Sequence, residues 1–325
     1  MNVFAFSRSG FIRVAVLVCL VAFFSVVNSD FLAQGNLYAM GQNFALLGLV
    51  TLGLALTMIA GEFDLSLGAI VAIAGLIMVK TGDVVPLVGI GLAVSGGVLL
   101  GLINGALTLG LAVSSLVTTL GTMILLRGLA VWIEGGEVVS YSNFDASDAL
   151  DQQILGFFSP RSLITIGCFV LIAVLLRVSR VGRNIVATGS RRKAAVASGV
   201  NVKLSICVVF AISGGFAALV GALMSISLAS ASSQYGSSLL LQAATAAILG
   251  GVALSGGVGR PLHIALGVVI LTVLNNGLNL LGAPSALILL LNGLMLILVM
   301  LFDRDTSSFL GKISFKSLKA RPQHS

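Results

Sequence analysis

Hydrophobic residues in this chain do not alternate with polar ones at the period of a soluble helix or strand. They run almost unbroken for long stretches and then stop at a short cluster of glycine, proline or charge. A run of about 20 apolar residues is what a helix needs to cross the hydrocarbon of a bilayer, and a window of that length finds ten of them. They cover residues 12–28, 43–60, 65–80, 85–105, 114–133, 162–177, 204–228, 239–255, 261–281 and 285–302. The eighth is short and rich in glycine, which predicts a tilted or broken helix, and the joint between the second and third is broken by AGEFDLSLG. No polar block between the runs is large enough to fold separately. The pattern therefore predicts an all-α polytopic membrane protein of about ten spans: a short N-terminal segment (1–11), one membrane domain (12–302) and a basic tail (303–325).

Composition supports this picture. Of 325 residues 58% are hydrophobic and 9% charged, against roughly 45–50% and about 25% in soluble domains. The net charge of +7 is informative through its distribution, because Lys and Arg flanking the spans are retained in the cytoplasm. Both ends are basic, with Arg8 and Arg13 at the start and Arg304, Lys312, Lys316, Lys319 and Arg321 at the finish. Ten spans put both termini on one side, which these residues make cytoplasmic. The connection at about 134–160 then falls outside; it carries Glu134, Glu137, Asp145, Asp148 and Asp151. The connection at about 177–203 falls inside and carries seven basic residues and no acid. A basic balance placed in this way speaks for topology and membrane lipid, and no nucleic acid is expected as a partner. The first run lacks a small-residue cleavage site and is read as a retained span. Cys19, Cys168 and Cys207 each lie inside an apolar run, with no metal or disulfide spacing.

Few residues carry candidate chemistry. In the basic connection, Ala194, Ala195, Ser198 and Gly199 are spaced to form one small-residue face on a short helix. A connection that merely holds topology needs no such face, whereas a closely approaching protein does. Glu62, Asp64 and Ser66 sit at the broken joint; either Asp64 or Ser66 caps the third helix, or the acids serve a solute path. Arg127 in the fifth span either has a structural role, pairing with an acid or snorkelling to an edge, or contacts the substrate. Asn275, Asn276 and Asn279, like Asn104, suit either a hydroxylated solute or hydrogen bonding between helices. Gly97, Gly101 and Gly105 form a close-packing surface. His263 has no ligand companions. A polytopic enzyme is disfavoured, since the chain offers no metal cluster and no nucleophile with its base, and it lacks the GxxxxGK[ST] loop that would cradle nucleotide.

Several segments taken together resemble one family. ATGSRRKAAVASGV at 187–200 is similar to the cytoplasmic coupling segment of ABC transporter permeases, specifically of the ribose-type simple sugar importers. GEFDLSLG at 61–68 resembles that family's GGIDLSVG, and TTLGTMILLRGLA at 118–130 its ATLGTMSILRGLA. ILGGVALSGGVG at 248–259 and LNNGLNLLG at 274–282 follow in the family's order. The resemblance implies a type II importer permease architecture in the bacterial inner membrane. It implies pairing with a second permease copy or a paralogue, a cytosolic ABC ATPase, and a periplasmic solute-binding protein. ATP and magnesium would then belong to the ATPase, and this chain would bind no cofactor or metal. The coupling segment would include Gly189, Arg191, Ala194, Ala195, Ser198 and Gly199; the path or gate would draw on Glu62, Asp64, Ser66, Gln242, Asn275, Asn276 and Asn279. The solute implied is a neutral sugar or polyol. Two departures matter: Arg191, Arg192 and Lys193 stand where the family has Asn, a variable residue and Glu, and Leu240 and Gln242 replace an acidic pair. A proton-coupled carrier using Glu62 or Asp64 is the alternative.

Overall fold

A computed structural model describes residues 8–111 and 113–302 of the chain, so the expectations for the first residues and for the basic tail fall outside the described part. Thirteen α-helices occur there: α1 (Arg8–Val27), α2 (Gln34–Ile59), α3 (Leu67–Thr81), α4 (Pro86–Gly110), α5 (Ser115–Glu134), α6 (Phe144–Leu150), α7 (Pro160–Val178), α8 (Arg180–Ser190), α9 (Arg192–Ala197), α10 (Val202–Ser227), α11 (Leu239–Leu249), α12 (Pro261–Leu280) and α13 (Ser285–Phe302). Two short strands, β1 (Val139–Ser140) and β2 (Ser230–Ala231), pair antiparallel. Seven helices (α1, α2, α4, α5, α7, α10 and α12) are long and apolar enough to cross a membrane, and α3, α11 and α13 are shorter apolar helices. Each predicted run overlaps one of these ten.

Local chemistry sets the ends. Proline opens α4, α7 and α12, where its missing N–H is no loss. Side chains of Asn143, Ser159, Ser179 and Asn201 cap the first turns of α6, α7, α8 and α10. The two boundaries that differ most from expectation do so for physical reasons. α2 begins at Gln34 rather than 43, because its polar first turns are tied to other elements: Asn36 exchanges two 2.9 Å hydrogen bonds with Asn276 of α12, and the Gln42 side-chain Oε1 accepts from Ser159, the cap of α7, and from Arg161 within it. Hydropathy counts those residues against a span. The eighth run ends at Leu249 rather than 255, because Gly251 turns the chain at φ +80°.

The core runs through α2, α3 and α10. From Leu47 to Ile59 every residue of α2 is buried, as are nearly all of α3. A helix buried on all sides has no amphipathic face, which is why the run-based pattern found it and a moment would not. Small residues let the helices meet. A Cβ on Gly97 would stand 2.3 Å from Ala218, and one on Gly101 2.1 Å from the Phe210 carbonyl; Gly105 faces Cys207, so the predicted glycine stripe lies against α10. In hydrocarbon, apolar contact alone gives helices little reason to associate, so this closeness supplies dispersion that bulkier residues would forfeit. By contrast, the outer faces of α1, α4 and α5 expose Phe11, Leu99, Leu125 and Trp132, an apolar exterior suited to lipid.

This packing predicts that Gly101→Leu lowers the thermal midpoint of the purified chain in detergent by several degrees, given an overpacking cost of roughly 1–3 kcal/mol. Gly91→Leu on the same helix, where an added Cβ meets nothing within 4 Å, leaves the midpoint unchanged. Equal midpoints for both variants would show that the α4–α10 seam is not close-packed.

Candidate functional site

The broken joint between α2 and α3 gathers buried polar residues, Glu62, Asp64 and Ser66 among them. Gly61 turns the chain with φ +79°, and Glu62 to Ser66 follow without helix. Unwound backbone in a membrane interior needs partners for its N–H and C=O groups, and α5 supplies them. Ser115 Oγ accepts the Phe63 N–H at 3.1 Å, and Thr119 Oγ1 accepts the Leu65 N–H at 3.0 Å. Asp64 is fully buried; its Oδ1 accepts from the Ser66 N–H at 3.0 Å and the Ser66 hydroxyl at 2.6 Å, while Oδ2 lies 3.5 Å from Ser213 Oγ of α10. Asn104 of α4 donates to Ser66 Oγ at 2.8 Å. The joint is thus clamped between α4, α5 and α10. Ser66 occupies the cap position of α3, but its side chain bonds no helical N–H. Asp64 reaches only the N–H of Ser66 itself, so both serve the joint and neither caps the first turn.

Glu62, also buried, leaves this network in the opposite direction. Arg192 of α9 donates to its Oε1 at 2.5 Å. The basic connection that supplies Arg192 is two helices rather than one. Arg191, with φ −152° and ψ 94°, breaks α8 from α9. Two members of the predicted coupling segment also turn inward, one of them from the small-residue face. Ala195 is buried among the core residues. A Cβ on Gly189 would lie 1.9 Å from the Ile59 carbonyl and 2.7 Å from Gly257 N, so Gly189 is a packing residue between the end of α2 and the loop before α12. That loop is anchored by Gly257 N–H donating to Ile59 O at 2.8 Å. Arg191, Lys193, Ala194, Ser198 and Gly199 remain exposed. Between the joint, α5, α8, α9 and the same loop lies an open cleft of ≈ 600 Å³, whose walls include Glu62, Ser115, Gly189, Arg192 and Ser255.

The other predicted residues are not brought to this cleft. Asn276 is spent on Asn36, Asn279 is exposed, and Asn275 is half-buried with its Oδ1 unpartnered; the three do not form one solute face. Gln242 is half-buried on α11 and Leu240 is buried. Arg127 pairs neither with an acid nor with an edge: its Nη2 donates to Gln234 Oε1 at 2.6 Å. At the opposite end of the bundle Asp151 is held by Arg161 at 3.0 Å and by the Ser227 hydroxyl at 2.5 Å. Ser115, Thr119, Ser213 and Arg192 were not anticipated at the joint. Hydroxyls at the very start of an apolar run, as in SSLVTT, were the available signal for the first two.

Comparison with known proteins agrees with this architecture. Residues 37–300 match the family described as the permease component of branched-chain amino acid transport systems. The ribose import permease protein RbsC of Bacillus subtilis is 34% identical, with 90% of this chain and 92% of that protein aligned. The autoinducer 2 import system permease protein LsrD of Yersinia enterocolitica is 32% identical over 88% of each chain. The L-arabinose transport system permease protein AraH of Escherichia coli is 31% identical, covering 83% of this chain and 82% of that one. No solved structure matches. These relatives do not favour the proton-coupled carrier. With its apolar helices, buried joint and exposed basic segment, the chain belongs to this permease family, in its ribose-type branch, and is a multi-pass transport subunit of an ABC importer in the bacterial inner membrane rather than an enzyme.

Proposed function

We propose that this chain moves a neutral sugar or polyol, that it pairs with a second copy of itself, and that a cytosolic ATPase docks on α8 and α9. A periplasmic binding protein would deliver the solute to the opposite end, and ATP with magnesium would be held by the ATPase. The relatives named for ribose and L-arabinose support the solute class; the replacement of the family's acidic pair by Leu240 and Gln242 keeps ribose itself from being assigned. Charge supports the orientation. The bundle end that carries α8 and α9 presents Arg177, Arg180, Arg183, Arg191 and Lys193, while the far end presents Asp145 and Asp148, as retention of basic residues in the cytoplasm requires.

The observation that carries the coupling reading is the Glu62–Arg192 pair. It ties a helix exposed at the surface to the unwound joint between α2 and α3, 130 residues away in sequence. Displacing α9 would draw the half-exposed Arg192 away from a carboxylate that is buried and has no other ion-pair partner among the described residues, and leaving that carboxylate unpaired is unfavourable. Movement of α9 is thereby transmitted to the joint rather than absorbed locally.

Two measurements test this reading. Ser198 is exposed and has an ordinary backbone conformation (φ −87°), so Ser198→Trp adds bulk without strain, which a change at Gly199 (φ +80°) would not. In reconstituted vesicles Ser198→Trp is expected to abolish uptake and binding-protein-stimulated ATP hydrolysis at normal abundance, with Arg180→Gln as a control that retains both. Normal uptake by Ser198→Trp would show that α9 is not a docking surface. Orientation is tested separately by single cysteines in a background lacking the three native ones. Ser190→Cys is expected to react with an impermeant reagent only from the cytosolic side and Ala149→Cys only from the periplasmic side; the reverse would invert the topology.

A further inference from the structure

Between α10 and α11 the chain from Ala229 to Ser238 reads ASASSQYGSS and contains no helix. It begins beyond the end of α5, where the Ala229 carbonyl accepts from the Tyr141 N–H at 2.9 Å and β2 pairs with β1. From there it runs back alongside α5. The Ser233 N–H donates to Glu134 Oε2 at 3.1 Å, Gln234 Oε1 accepts from Arg127 at 2.6 Å, and Gly236 lies against the backbone of Gly68 in the first turn of α3. At roughly 1.5 Å per residue, Arg127 is about 10 Å along α5 from Glu134 and about 18 Å from Ser115, well inside the hydrocarbon thickness.

At that depth the strip is nonetheless open. Gln234, Ser237 and Ser238 are exposed and Arg127 is half-buried. Lipid tails cannot satisfy a guanidinium, an amide, serine hydroxyls or non-helical backbone, and such groups occur inside membranes where they meet water or other protein. Leu125 and Trp132, 79% exposed in the latter case, lie on a face of α5 turned well away from Arg127, while Arg127 shares its own face with the exposed apolar Leu120 and Val131.

We propose that Arg127, Gln234 and Ser237, with Glu134 above them, line the aqueous solute path, and that they recognise a neutral polyhydroxylated solute. This rests on the importer reading above and names the wall of its path, which a second permease subunit closes from the far side. Arg127 and Glu134 are seven residues apart and so lie on one face of α5, where their opposite charges leave the strip without net charge. Opening the Arg127–Gln234 bond frees one donor and one acceptor side by side, and a diol satisfies both, so passage exchanges hydrogen bonds instead of losing them. An ionised solute would meet either Arg127 or Glu134 as a like charge.

The test uses the complete importer in lipid nanodiscs, with Ser237→Cys as reporter and two methanethiosulfonate probes, one carrying trimethylammonium and one sulfonate. Rates are normalised to each probe's rate with a free thiol and corrected for the native cysteines. Both probes are expected to modify Ser237→Cys, at normalised rates within about threefold of each other, and neither to modify Leu125→Cys. Adding Arg127→Gln leaves Glu134 unbalanced and is expected to shift the ratio toward the cationic probe by about tenfold, whereas Arg127→Lys leaves it unchanged. A reporter no more reactive than Leu125→Cys, or a ratio unmoved by Arg127→Gln, would overturn the proposal. Binding-protein-stimulated ATP hydrolysis, read in the same preparations, separates the two levels: its absence from the parent complex defeats the importer reading, while its presence with a silent reporter defeats the path alone.

Discussion

A backbone amide in hydrocarbon needs a hydrogen-bond partner, and the architecture of this permease follows from meeting that requirement where helices are interrupted. Two interruptions lie within the bundle, the joint from Gly61 to Ser66 and the strip from Ala229 to Ser238. At the first, side-chain hydroxyls of α5 replace the missing helical carbonyls for Phe63 and Leu65. Ser115 and Thr119 can do so only because α5 runs directly beside the joint, and that proximity depends on glycine-lined seams that draw α3 and α4 onto α10. Close packing and polar satisfaction are therefore one problem here, solved together.

The solution has a mechanical consequence. Asp64 ties the joint inward, to Ser66 and Ser213, with Asn104 joined through Ser66. Glu62, two residues earlier, ties it outward to Arg192 on an exposed helix. The same short stretch thus belongs both to the core and to the surface. Gly61, Gly189, Gly256 and Gly257 bring three segments together beneath it with no side chain to cushion relative movement. A contact of this kind transmits displacement, since packed atoms without intervening side chains have little room to absorb it.

Much of the architecture was legible before any coordinates. The ten apolar runs correspond to ten apolar helices, and the glycine spacing in α4 marks a seam. What hydropathy could not see was polar residues that belong inside spans because they have partners: Asn36 and Gln42 lengthen α2 through bonds to α12 and α7. The candidate site was legible only in part. Glu62 and Asp64 stood out as acids among apolar residues, but their division of labour depends on Arg192 and Ser213, far off in sequence. Spacing placed Ala194, Ala195, Ser198 and Gly199 on one face. The break at Arg191 and the inward turn of Ala195 left only part of that face exposed.

Sequence by itself determined the solvent of this protein and the number of its apolar segments, because the cost of placing charge or free backbone in hydrocarbon is paid residue by residue and shows in composition and run length. It also carried the family, through motifs held in order along the chain. Only the tertiary structure decided which hydrogen-bonded polar residues are buried between helices and which stay exposed, as Asn276 against Asn36 and Gln234 beside Arg127 illustrate. A side-chain amide makes the same bonds in either role. Whether it is spent on a neighbour or left open is settled by which distant segment the fold sets next to it.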